Sequence, residues 1–137
     1  MCGVRRADCL CGVVGVLERD GSFLMIKRSA HVQAAHKWCF PGGAIEAGET
    51  AAEAVVREFR EELGLEIEAG QELWSWLRED GRLHLEWHQV RHIGGKLRLK
   101  ADEVAEAKWM TDEDMHRQAD LLANNLTFLT HYRSLPT

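Results

Sequence analysis

The segment from Thr50 to Gly64 constrains this chain more than any other. It reads Thr-Ala-Ala-Glu-Ala-Val-Val-Arg-Glu-Phe-Arg-Glu-Glu-Leu-Gly. Thr50 is a strong N-cap, and Glu53, at the N3 position, completes a capping box. In that arrangement two side chains satisfy amide groups that a helix start otherwise leaves unpaired. Ala54, Val55, Phe59 and Leu63 supply an apolar face at helical spacing. Gly64 stands where a left-handed terminating residue is wanted. The sequence therefore predicts a helix over 50–63 that must bury one face.

The polar side of this helix carries Glu58, Glu61 and Glu62 at i, i+3 and i+4, within about one turn. Like charges at that spacing repel, at roughly a few tenths of a kcal/mol per pair. They also lie late in the helix, where the macrodipole disfavours anions. Two readings fit: a solvated acidic face, or a set of hard oxygen ligands for a divalent cation. Magnesium is held by a few carboxylates and completes its shell with water and phosphate oxygens. The surroundings favour the second reading. Gly42-Gly43 permits a tight turn and a close backbone approach. Arg57 is adjacent to Glu58 and one turn from Glu61, so it can hold a carboxylate in place. Glu49 can in turn pair with Arg57, a second layer behind the ligands.

Around the helix the pattern changes to strands. Gly12–Glu18 and Ser22–Arg28 flank Asp20-Gly21, a hairpin turn signal. Residues 29–37 read as a polar loop, and Trp38–Gly43 as a short strand ending in a Pro-Gly-Gly turn. Further strands are expected at Ile67–Glu68, Leu73–Arg78, Leu83–His92, Leu97–Leu99 and Ala105–Met110, with a second hairpin turn at Asp80-Gly81. Thr111 opens a helix running toward Tyr132, with or without a break at Asn124-Asn125. Strands on both sides of a helix predict a mixed α/β (α+β) sandwich. At 137 residues the chain is expected to be one domain spanning 1–137.

A net charge of −5 argues against general binding to nucleic-acid polymers, which asks for clustered Lys and Arg. It leaves room for a small polyanion whose charge is balanced by metal ions. Met1–Leu10 has no apolar run, so no signal peptide is read there. The longest apolar stretch, Gly12–Leu17, is far too short to span a membrane. A cytoplasmic location is expected, as a monomer or homodimer. Cys9 and Cys11 share a face if their segment is a strand. Reduced thiols are the expected reading, with a metal site as the alternative.

From Gly43 the chain runs Gly, five residues, Glu49, seven residues, then Arg57-Glu58-Phe59-Arg60-Glu61-Glu62-Leu63-Gly64-Leu65. This resembles the Nudix box, here 43–65, with all nine of its fixed positions filled over 23 residues. The resemblance extends further. Trp38–Gly43 is similar to the strand that enters the box in the mutator-type (MutT) members. Arg28, Glu103 and Asn124 fall where those members carry a phosphate-binding Arg, an extra loop carboxylate and a purine-binding Asn. Two positions depart: Leu121-Leu122 stand in place of prolines, and Cys39 in place of an acidic residue of the base pocket. Both bear on the base, not on the phosphate chemistry.

The resemblance implies the Nudix fold, a mixed β-sheet sandwiched between helices with the box as loop–helix–loop. It implies an enzyme, dependent on magnesium or alternatively manganese, that cuts a phosphoanhydride in a nucleoside diphosphate derivative. The implied metal ligands are Gly42, Glu58, Glu61, Glu62 and Glu103. Catalytic roles fall to Glu58, Glu61, Arg57 and Glu103, with Glu58 the first choice for general base and Glu103 the second. Arg28, Phe40 and Asn124 are the implied substrate contacts, and Gly43, Glu49 and Gly64 the orienting positions. Among substrates, dinucleoside polyphosphates and ADP-ribose lose weight, because the only Tyr is Tyr132 and the only prolines are Pro41 and Pro136. A nucleoside triphosphate is favoured, with Asn124 pointing to oxidised dGTP. The alternatives are a nucleotide sensor without turnover, or a hydrolase of a nucleotide sugar or dinucleotide.

Two further patterns stay open at this level. Trp74 and Trp76 alternate on a strand, as core packing or as a base-stacking surface. His84, Glu86 and His88 share one strand face. An exposed sheet face is expected, with a groove wall or a transition-metal site as the alternatives.

Overall fold

The computed structural model describes residues 9–136. In chain order the elements are β1 (Leu10–Val16), β2 (Glu18–Arg19), β3 (Ser22–Arg28), β4 (Trp38–Cys39), β5 (Gly42–Ala44), α1 (Ala51–Leu63), β6 (Leu65–Leu77), β7 (Leu83–Gly95), β8 (Val104–Met110), α2 (Asp112–Arg117) and α3 (Ala123–Ser134). One sheet is mixed, in the order β5-β1-β7-β6, with β1 parallel to β7 and the other pairs antiparallel. The other is antiparallel, with β3 flanked by β2 and β4 and also paired to β8.

Both sheets are covered on two faces, which is why β1 and β3 are buried almost throughout. Cys11 and Val13 of β1, with Leu24 and Ile26 of β3, pack with Val55, Phe59 and Leu63 of α1. The alternate residues, Val14, Val16, Phe23 and Met25, pack with Phe128 and Leu129 of α3. Gly15 is needed on the α1 side, where a Cβ would run into the ring of Phe59. Val55, Phe59 and Leu63 of α1 are fully buried and each contribute about 1.5–3 kcal/mol.

The expected helix is present with both of its boundaries. Thr50 and Glu53 form the reciprocal capping box, and Gly64 closes the helix at φ 69°. The Asp20-Gly21 turn has both residues at positive φ, as a tight two-residue hairpin requires.

Three expectations about elements are corrected. Ile67–Glu68 and Leu73–Leu77 belong to one strand, β6, with register shifts after Glu66 and around Glu72, and Arg78 lies just beyond it. Leu97–Leu99 is not a strand. The amides of Arg98 and Lys100 instead donate to the carbonyls of Leu63 and Glu62, which the end of α1 leaves unpaired. The helix from Thr111 breaks at residues 118–122, before Asn124. There the backbone pairs with β4: Trp38 N–H donates to Asp120 and Leu122 N–H to Trp38.

Side-chain environments settle the two open patterns. Trp74 packs edge-on to Trp87 in the α3-side core, and Trp76 packs against the same cluster. The expected exposed face at Glu86 and His88 is instead buried, with 7% and 9% of their surface accessible. Cys11 is disulfide-bonded, against the expected reduced state, while Cys9 and Cys39 are free. No helix among the described residues is long and apolar enough to cross a membrane.

Candidate active site

The C-terminal half of α1 faces a cleft of about 330 Å³. Its lining joins residues from four parts of the chain: Arg28 at the end of β3, Gly42 and Gly43 in β5, Arg57, Glu58, Glu61 and Glu62 on α1, and Glu103 before β8. Eight of the positions singled out in the sequence thus meet at one place. Glu49 and Gly64 act from outside the lining.

Arg57 organises the acids. Its Nε and Nη2 donate to the two carboxylate oxygens of Glu49, at 2.7 and 2.9 Å. Its Nη1 reaches Glu58 at 2.9 Å and Glu61 at 3.3 Å, and Nη2 also donates to the carbonyl of Ala44. Glu49 is fixed in turn by the amide of Glu46. A planar fork with five donors can serve so many acceptors only as arginine. These partners hold the Glu49 carboxyl below its usual range and raise the Arg57 pKa further.

The glycines are required here by close approach and not by left-handed turns. A Cβ on Gly43 would lie 2.5 Å from the carboxyl of Glu58, and one on Gly42 would collide with the backbone of Val13. Gly42 and Gly43 pair with Val14 and Val13 of β1, so the sheet itself sets the loop against α1.

Glu58 and Glu62 are buried, whereas Glu61 is open to solvent. Burial, with Glu58 and Glu103 alongside, pushes Glu62 far above the ordinary carboxylate range. Five glutamates line the cleft against two arginines, Arg28 and Arg57. Glu103 is held through its backbone: its N–H donates to Lys100, and Ser29 N–H donates to its carbonyl at 3.0 Å. Ser29 Oγ also donates to the carbonyl of Asp102 at 2.7 Å. Lys100 pairs with the Glu103 carboxylate at 3.2 Å. Ser29 and Glu46 were not foreseen. Ser29 acts through the backbone of a segment 73 residues away, for which sequence spacing carries no signal, whereas Glu46 acts locally, through its amide to Glu49 and its carboxylate beside Arg57.

Arg28 lines the cleft and donates through Nε to the carbonyl of Gln33 at 2.6 Å. Burial pushes the neighbouring Cys39 thiol up to about 11, and the Arg28 charge opposes that rise. Two of the expected substrate contacts lie elsewhere. Phe40 does not line the cleft: it is sealed in the aromatic core between Phe23 and Phe128. Asn124 does not line it either. The amide buried in this region is Asn125, whose Oδ1 accepts from Phe40 N–H and whose Nδ2 donates to Asn124 Oδ1.

The family model of the NUDIX domain matches residues 11–132. The chain belongs to the Nudix hydrolase family. Among its relatives, a CTP pyrophosphohydrolase of Escherichia coli (strain K12) is 39% identical over 105 residues, covering 74% of this chain and 76% of the relative. A putative 8-oxo-dGTP diphosphatase 2 of Mycobacterium tuberculosis is 32% identical over 107 residues, covering 76% and 74%. The solution structure of the E. coli ORF135 protein superposes with a TM-score of 0.79 at 32% identity, over 93% of this chain and 91% of that one. Nudix enzymes use divalent cations, and this cleft fits one. Its donors are hard carboxylate oxygens, they come from two sides, and they outnumber the arginines beside them.

Proposed function

We propose that this Nudix hydrolase converts a nucleoside triphosphate to the monophosphate and pyrophosphate, with Mg2+ as cofactor. The observation that carries the proposal is the convergence of Glu58, Glu61, Glu62 and Glu103 with the cation Arg28 on one cleft. A bound Mg2+ supplies charge neutralisation for the phosphates and acidifies water. Glu58, Glu61, Glu62 and Glu103, with Gly42, would hold it.

The remaining steps fall to the chain's own groups. Arg28 sits at the cleft wall, where its guanidinium can exchange the Gln33 carbonyl for a phosphate oxygen. Glu58 accepts the proton of the attacking water. It is the carboxylate that Arg57 clamps most closely on the cleft side, and a fixed base is the effective one. Glu103, on a tethered loop, is the second candidate. Arg57 and Glu49 orient and do not react.

A nucleotide sensor without turnover is the weaker reading, because every acidic position of the box is filled and its three helix glutamates, Glu58, Glu61 and Glu62, line the cleft. For the base, cytosine takes support from the relative named for CTP. An oxidised purine takes support from the relative named for 8-oxo-dGTP. The test is a phosphate-release screen with Mg2+ over the nucleoside triphosphates, oxidised dGTP, ADP-ribose and dinucleoside polyphosphates. Pyrophosphatase and alkaline phosphatase are coupled in separate wells. Pyrophosphate from one triphosphate is the expected result and names the base. Silence across the panel, with nucleotide-induced thermal stabilisation, would replace the enzyme by the sensor.

A further inference from the structure

A second cluster of ionisable side chains lies on the β6–β7 ribbon, and none of its members lines the acid cleft. Glu86 and His88 are alternate residues of β7. Their partners on β1 are Val13 and Gly15, so both occupy the face that α1 covers. Glu72 comes from β6, opposite His88, with a register shift on each side of it. Bulges of this kind re-aim a side chain. One donor atom from each of the three residues lies within 4.8 Å of the other two.

The polar groups of this cluster are poorly satisfied by protein. Glu86 and His88 are 7% and 9% accessible. His88 Nε2 stands 3.5 Å from Glu86 Oε1, too far for a good hydrogen bond. His88 Nδ1 is buried with no hydrogen-bond partner among the described residues. A half-turn of the imidazole exchanges which ring atoms face the carboxylates, so either nitrogen can serve as the donor. Leaving such groups unmet costs stability that an apolar pair on the same strand would not incur. A positive ion between the three residues removes that cost for the carboxylates and the ring together.

We propose that Glu72, Glu86 and His88 form a site for a divalent transition-metal ion of the zinc type, separate from the cleft. Two carboxylate oxygens and one imidazole nitrogen make a mixed donor set that suits Zn2+ and leaves a fourth position for water. Mg2+, which demands six oxygens at short range, suits the all-carboxylate cleft instead. Glu72 is exposed, so the ion enters from its side. The assignment does not rest on the hydrolytic reading of the cleft.

The test is Zn2+ titration of the full chain by calorimetry, with the His88 imidazole signals followed by NMR. A Cys9→Ser background removes the partly exposed thiol as a competing ligand. In Glu58→Gln combined with Glu62→Gln, which disables the cleft, one Zn2+ should still bind and shift the His88 signals as it does in the parent. Glu72→Gln and His88→Ala should each weaken this binding at least tenfold. Because Glu72 is exposed, its replacement reads the site without burdening the fold, should His88→Ala prove unstable. Zn2+ binding that disappears with the α1 variants, or that is unchanged in Glu72→Gln, would overturn the proposal. So would the absence of any binding event that perturbs His88.

Discussion

On the α1 side of the sheets, Arg57 is surrounded by Glu46, Glu49, Glu58 and Glu61. On the α3 side, Phe23, Phe40, Trp74, Trp87, Phe128 and Tyr132 pack ring against ring, with centroids 4.9–6.1 Å apart. The two regions treat stability in opposite ways. The aromatic side gains from almost every contact it makes, through buried area and favourable ring geometry. In the cleft, burial first and then the neighbouring Glu58 and Glu103 push Glu62 far above its ordinary range. Charges gathered against their own repulsion need a reason outside folding, and a bound cation with a phosphate substrate supplies one.

That contrast predicts that activity and stability separate by region. The largest effect belongs to the proposed base. Glu58→Gln keeps the volume and can still accept from Arg57, so the melting temperature should hardly move. Removing a general base costs about 10²–10⁴ in rate, to be read as kcat on the triphosphate found by the screen. Phe128→Ala should do the reverse. Its ring is fully buried, and its loss should cost about 3–5 kcal/mol in denaturant unfolding. The kcat per folded molecule should change far less than in Glu58→Gln. Equal damage to both properties in both variants would erase the distinction.

Glu49→Gln tests the layer behind the acids. Losing the orienting partner of a metal-site residue typically costs 10–100-fold, and the loss should fall on kcat more than on KM. It also carries a pH signature. The Glu49 pKa is depressed in the folded protein, chiefly by its hydrogen bonds from Arg57. Its contribution to stability is therefore complete above the ordinary carboxylate pKa and is lost as pH falls through the depressed value. Thermal melts from neutral to acid pH should show a shallower decline in Glu49→Gln than in the parent. The smallest expected effect is Ser29→Ala. It leaves the Asp102 carbonyl without its hydroxyl donor and should cost about 0.5–1.5 kcal/mol. A modest fall in kcat through looser placement of Glu103 should accompany it.

The parts of the site that could be read from sequence are those built by local geometry. The capping box, the Gly64 stop and the glutamates at i, i+3 and i+4 lie within one helix, whose period fixes their relation. The rest depends on contacts made across the chain. Ser29 meets Asp102 from 73 residues away, and Asn125 meets Phe40 from 85. Asn124 and Asn125 are chemically identical, and only the rotation of α3 decides which one turns inward. Leu97–Leu99 has a strand-like pattern, yet its neighbouring amides serve the unpaired carbonyls of α1. Glu86 and His88 look like an exposed polar stripe in sequence, because the helix that covers their face is distant in the chain.

The central claim is that the acid cleft binds a cation and does chemistry with it. The most direct test is pyrophosphate release by Glu61→Gln, measured against Mg2+ concentration beside a thermal melt of the same sample. Glu61 is solvent-exposed and packs little, so the melt should match the parent while turnover falls by orders of magnitude and its Mg2+ requirement rises. Unchanged turnover at the same Mg2+ concentration would contradict the account, because the residue would then be part of a solvated acidic face and no more.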